Sequence, residues 1–112
     1  MDFEKVSKGL ATGEFVLVDV RGGDERKAKR IPGSQHIPLP EMDTAMTLGG
    51  EEFKAKYGFA KPEKTTHLVV HCLKGGRAAK AASSLKAQGY NAEPYSGSME
   101  DWVARNGPTE SG

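Results

Sequence analysis

Phe3, Val6 and Leu10 recur at helical spacing and Gly13 follows them, which predicts a short opening helix. Phe15 to Val20 is a nearly continuous apolar, β-branched run, the pattern of a strand covered on both faces of a parallel sheet. Gly22-Gly23 breaks that run, and the charged stretch Asp24–Arg30 reads as a solvated helix or loop. Ile31 to Pro40 predicts turn, short strand and turn, because Pro32, Pro38 and Pro40 forbid a helix. Glu51 to Tyr57 predicts a helix with Phe53 and Tyr57 on one face, ended by Gly58. Lys61-Pro62-Glu63-Lys64 reads as an exposed loop. His67 to Cys72 is a second apolar strand that runs directly into Leu73-Lys74-Gly75-Gly76-Arg77.

Beyond that loop, Ala78, Ala81, Ala82 and Leu85 mark one helical stripe, so a helix starts near Arg77 and stops at Gly89. Its alanines are small enough to let the helix approach a sheet closely. Asn91–Tyr95 predicts a last strand. Ser98-Met99-Glu100-Asp101 resembles a capping box opening a helix that buries Met99, Trp102 and Val103. Asn106-Gly107-Pro108 ends it, and residues 107–112 are expected to fray. Helices alternating with apolar strands imply an α/β domain with a mainly parallel sheet.

Composition narrows the partners. A length of 112 residues fits one domain over 1–112, and 37% hydrophobic residues with 14 glycines are ordinary for a globular chain. Sixteen basic residues nearly balance fifteen acidic ones, and a net charge of +1 leaves no electrostatic footprint for nucleic acid. No apolar stretch reaches the length of a membrane span. Neither nucleic acid nor a membrane is therefore an expected partner. One cysteine cannot form an intramolecular disulfide, which favours a reducing compartment, cytoplasmic or mitochondrial.

That cysteine carries the candidate chemistry. Ligands of parallel α/β sheets bind at the carboxyl ends of strands, and Cys72 stands at such an end before a loop and a helix N-terminus. Gly75 and Gly76 let the loop curl so that successive N–H groups point inward as an anion nest. The helix terminus adds roughly half a positive charge, and Lys74 and Arg77 add two full charges nearby. A free cysteine titrates near pH ~8.5, and such surroundings bring it to roughly 3.5–7.5, leaving it as the nucleophilic thiolate. A buried, inert cysteine would need none of these neighbours. Cysteine phosphatases space their cysteine and arginine one residue further apart than the four residues between Cys72 and Arg77. The tighter loop suits one added sulfur atom better than a tetrahedral phosphate, which disfavours a phosphatase or an arsenate reductase. No metal is expected, since only His71 adjoins Cys72 and strand alternation turns it away. Asp19 and Arg21, at the end of the first strand, read as a structural ion pair holding neighbouring loops.

Leu17-Val18-Asp19-Val20-Arg21, Ile31-Pro32-Gly33-Ser34 with Ile37-Pro38, Cys72-Leu73-Lys74-Gly75-Gly76-Arg77, and Tyr95-Ser96-Gly97-Ser98 through Trp102 together resemble the rhodanese family. These landmarks fall in the family's order and cover nearly the whole chain. Phe53, Tyr57-Gly58 and Lys61-Pro62 are similar to small single-domain thiosulfate sulfurtransferases, including the thiosulfate:glutathione enzymes. Departures occur: Lys29-Arg30 replaces the usual glycine-histidine, His36 a common asparagine, and Arg26 a frequent aromatic.

The resemblance implies a three-layer domain with a mainly parallel central sheet flanked by helices. It implies a sulfurtransferase in which Cys72 takes sulfane sulfur from thiosulfate as a persulfide and hands it to glutathione, another thiol or cyanide, with no cofactor. Leu73, Lys74, Gly75, Gly76 and Arg77 would bind substrate, the two cations holding sulfonate oxygens. The alternative is a persulfide carrier or interaction module serving a protein acceptor such as thioredoxin.

Overall fold

The computed structural model describes all 112 residues. In chain order it comprises α1 (Phe3–Thr12), β1 (Val16–Asp19), α2 (Gly23–Ala28), β2 (Gln35–His36), a 3-10 turn (Leu39–Glu41) and α3 (Met42–Ala45). There follow α4 (Gly50–Tyr57), β3 (His67–His71), α5 (Gly76–Ala87), β4 (Asn91–Pro94) and α6 (Ser98–Ala104). The four strands form one sheet in the order β2-β1-β3-β4, every pair parallel. This is the α/β architecture that the apolar runs imply, with α3 as an element they did not predict.

Strand alternation divides the sheet into two faces. Val18, Val20, Leu68, Val70, Cys72 and Ala92 pack with Met42, Phe53 and the α5 stripe in the larger of two cores. Leu17 and Val69 face the other way, into a smaller core with Val6 of α1 and Met99 and Trp102 of α6. Both faces of β1 and β3 are thus covered, which is why those strands read as continuous apolar runs. Ala78, Ala81 and Ala82 are buried, and their short side chains bring α5 close against β3 and β4. Gly13 and Gly58 close α1 and α4 in the left-handed conformation, as their positions predict.

Three expectations are corrected. Val103 is 41% exposed rather than buried, because α6 presents only Ser98, Met99 and Trp102 inward. Ser98 does not cap α6; Gly97 holds the cap position and Ser98 is the first helical residue, with φ +52°. Residues 107–112 turn back instead of fraying. The Trp102 indole donates to Pro108 O at 2.7 Å, and Arg30 and Glu110 exchange backbone hydrogen bonds of 2.9 and 3.0 Å. Arg30 and Glu110 are 80 residues apart in sequence, so no local pattern announces their pairing.

Candidate active site

Cys72 follows the last residue of β3 and is 1% exposed. One side of it closes the larger core, and the other meets the loop. Gly75 N donates to Cys72 Sγ at 3.0 Å. Gly75 reaches that position at φ +117°, and a Cβ there would stand 2.4 Å from Ser96 O, so only glycine fits. A Cβ on Gly76 would meet nothing within 4 Å, so the loop's tightness rests on the first glycine alone.

The loop's carbonyls are turned away from the sulfur by α6. Met99 N donates to Cys72 O and Glu100 N to Leu73 O, each at 2.9 Å. With those oxygens engaged, the N–H groups are left to face Sγ. Burial pushes the Cys72 thiol up, but the N–H groups of Ala78, Gly75 and Arg77 and the Ser98 hydroxyl around the sulfur outweigh it and hold the thiol below its ordinary value. The inert alternative predicts the opposite shift.

Ser98 is the site residue that sequence reasoning missed. Its hydroxyl accepts from Cys72 N at 3.1 Å, donates to Tyr95 O at 2.7 Å and lies 3.8 Å from Cys72 Sγ. A serine three residues before an acidic one looks like a cap, and nothing local shows that β4 and β3 end side by side. Ser98→Ala leaves the buried Cys72 N–H without a partner. We expect a loss of about 1–3 kcal/mol in stability and an upward move of the acid limb in the pH dependence of thiolate alkylation. Denaturant melts and iodoacetamide kinetics across pH would measure the two.

The predicted cations behave differently from each other. Arg77 does not stand free: its Nη1 and Nη2 donate to Glu25 Oε1 and Oε2 at 2.6 and 3.0 Å, a two-pronged pair that ties α5 to α2. The pair leaves the Arg77 side chain 37% exposed, and its charge is offset by a carboxylate that the sequence did not single out. Lys74 is exposed and forms no ion pair or hydrogen bond. Leu73 is 39% exposed at the loop's outer side, beside Glu100 and Val103.

Asp19 and Arg21 form the expected structural pair. Arg21 Nη2 donates to Asp19 Oδ2 at 2.9 Å and to Lys29 O at 2.6 Å, and both residues are buried. Arg26 joins them, donating to Asp19 Oδ2 at 3.4 Å and to Ser34 O at 2.8 Å. An arginine in place of an aromatic therefore ties the first loop to the segment before β2. His71 pairs in register with Asp19, is fully buried, and has its Nε2 unpartnered. Burial pushes its imidazole down and keeps it neutral in the ordinary pH range.

A six-residue loop that starts at a strand-end cysteine and ends at an arginine, closed by a Tyr-to-Trp segment supplying Ser98, matches one family description. Residues 2–105 fit the model of the rhodanese-like domain. The chain belongs to the rhodanese family. A rhodanese domain-containing protein of Drosophila melanogaster is 42% identical over 107 residues, covering 94% of this chain and 96% of that one. A human protein named thiosulfate:glutathione sulfurtransferase is 35% identical over 98 residues, covering 86% and 85%. A solved human single-domain sulfurtransferase superposes with a TM-score of 0.91 at 31% identity, covering 94% of this chain and 95% of its own. Some other relatives are named as mitochondrial proteins.

Proposed function

We propose that this rhodanese is a thiosulfate sulfurtransferase that carries sulfane sulfur as a persulfide on Cys72 and delivers it to a small thiol. The observation that carries the reading is the hydrogen bond from Gly75 N to the sulfur of the only cysteine. The names of its relatives support the same substrates.

In the first half-reaction the Cys72 thiolate attacks the outer sulfur of thiosulfate. A new S–S bond forms on Cys72, the S–S bond of the donor breaks, and its electron pair leaves with sulfite. The terminal sulfur of the persulfide is anionic, and the N–H groups of Gly75, Arg77 and Ala78 are its partners. Lys74 is the free cation for the sulfonate oxygens, while Arg77 shares its charge between donor and Glu25. In the second half-reaction an acceptor thiolate, glutathione or another thiol, attacks the terminal sulfur and restores the Cys72 thiolate; cyanide serves in the same role. The lone thiol suits a reducing compartment, the cytoplasm or the mitochondrial matrix.

The test joins mass with turnover. Thiosulfate alone should add the mass of one sulfur atom to the intact chain, and glutathione or cyanide should remove it with steady-state release of sulfite. An unchanged mass would overturn the reading. Loading without turnover on any small acceptor, but with transfer to thioredoxin, would replace it with the protein-carrier role.

A further inference from the structure

The sulfur relay uses one edge of the Cys72 loop and leaves a second feature of the same sheet face unused. Cys72 points to the side of the sheet that carries α3, α4 and α5, because it lies in one core with Met42, Phe53 and Ala78. Leu39 and Tyr57 pack against that same core from its margin. Just outside them lies a cavity of about 420 Å³, lined by Gly23, His36, Pro38, Glu41, Lys56 and Tyr57. Backbone bonds fix its place relative to Cys72: Val20 N donates to His71 O, and Leu39 N to Val20 O. Pro38-Leu39 therefore stands two strand spacings from the end of β3, about 10 Å.

The cavity is built of opposite charges held side by side. Lys56 Nζ stands 3.6 Å from Glu41 Oε1, with 55% and 42% of the two side chains exposed. The Tyr57 hydroxyl donates to the same Glu41 oxygen at 2.8 Å. Burial and the neighbouring carboxylate push the Tyr57 hydroxyl up to about 12, so it stays a donor and holds Glu41 in place. An exposed pair of this kind adds little to stability, about 0–1 kcal/mol. Thiosulfate and cyanide offer nothing to a carboxylate. A ligand with an ammonium and a carboxylate on one carbon offers a partner to each charge.

We propose that this cavity is the acceptor subsite and takes the zwitterionic amino-acid end of a small peptide thiol, Lys56 binding its carboxylate and Glu41 its ammonium. The inference rests on the sulfur-transfer reading above and adds to it the place where the charged end of the acceptor binds and the two side chains that hold it. The span fits: the γ-glutamyl and cysteinyl parts of glutathione cover roughly 7 Å between the zwitterionic end and the thiol, and the outer sulfur of the persulfide reaches out from Cys72 to meet that thiol. Donor and acceptor then meet different groups, the donor Lys74 and the loop amides, the acceptor Lys56 and Glu41.

The experiment compares the wild-type chain with Lys56→Ala and Glu41→Gln, at saturating thiosulfate, with glutathione, 2-mercaptoethanol and cyanide as acceptors. The KM for glutathione should rise about tenfold in each variant, the loss of one charged contact. The values for 2-mercaptoethanol, cyanide and thiosulfate should not change. An unchanged glutathione KM overturns the subsite, and so does an equal loss on all three acceptors. Binding of S-methylglutathione, which cannot accept sulfur, gives a readout apart from turnover: calorimetry should show it with the wild type and a severalfold weaker affinity in each variant. If the wild type turned over no acceptor, the sulfur-transfer reading would fail; normal cyanide turnover with insensitive glutathione kinetics would sink the subsite alone.

Discussion

Cys72→Ser removes all sulfur loading from thiosulfate and all turnover, while the chain keeps its fold. Serine is close to cysteine in volume, so the larger core keeps its packing where Cys72 closes it. Gly75 N still has an oxygen to donate to, and Cys72 N is a backbone group whose bond to Ser98 does not depend on the side chain. The chemistry has no such substitute. A serine hydroxyl stays protonated far above neutral pH, and no imidazole or carboxylate stands within hydrogen-bond reach of Sγ to take its proton. The amides that pull the thiol below its ordinary value cannot bring an alcohol into the same range. Intact mass after thiosulfate and a denaturant melt of the same sample make the comparison. Residual loading on the serine variant would mean that another nucleophile carries the sulfur, and with one cysteine in the chain none is available for a persulfide.

The largest effect on stability is expected at Asp19. Its carboxylate is fully buried and faces Arg21, buried with it, and Arg26. Asp19→Asn keeps the shape and removes the charge, which leaves a buried guanidinium uncompensated; breaking such a pair costs about 3–5 kcal/mol. The loop anchor would loosen with it, since Arg21 N also donates to Asp19 Oδ1 at 2.9 Å. Urea melts should show the unfolding free energy falling by that amount, against a near-silent change at an exposed carboxylate such as Glu51. The same group sets part of the acid limb. Burial pushes its pKa up, but the side-chain and backbone hydrogen bonds from Arg21 and the Arg21 charge more than offset this, and the folded value lies below the ordinary one. Stability from this group is then fully present above the unfolded pKa, about 3.9, and drains away as pH falls through the lower, folded value. The asparagine variant should lose that part of the acid limb, and a variant with an unaltered limb would show that Asp19 is not held as described.

The two variants separate what Cys72 and Asp19 do, although both stand at carboxyl ends of neighbouring strands. The proposed nucleophile should lose its chemistry and keep its fold when one atom changes. The buried carboxylate should lose stability when its charge goes. Position at the site edge is therefore a poor guide to role, and the partners of each side chain decide it.

Much of the fold is legible in the sequence because its causes are local. The runs Phe15–Val20 and His67–Cys72 are apolar throughout, which only a strand covered on both faces demands. The alanine stripe of α5 repeats at helical spacing and is small for one reason, close approach to the sheet. The loop from Cys72 to Arg77 announces itself by a cysteine, glycines and two cations within six residues, and the family's landmarks stand in order around it. What stayed hidden has non-local causes. The bond of Ser98 to Cys72 spans 26 residues and that of Glu25 to Arg77 spans 52, and no periodicity encodes a partner at such distance. Val103 obeys the helical pattern and is still exposed, because which side of α6 meets the sheet is set by where β4 ends. The tail looks unstructured as a peptide and is held only because Arg30 and Trp102 are there to hold it. Patterns shorter than a few turns of chain were thus enough for the apolar strands, for the helices other than α3 and for a candidate nucleophile at a strand end. The tertiary structure alone decided which cation is free, which hydroxyl supports the sulfur and where a charged cavity opens beside it, since each depends on strands that meet only after folding.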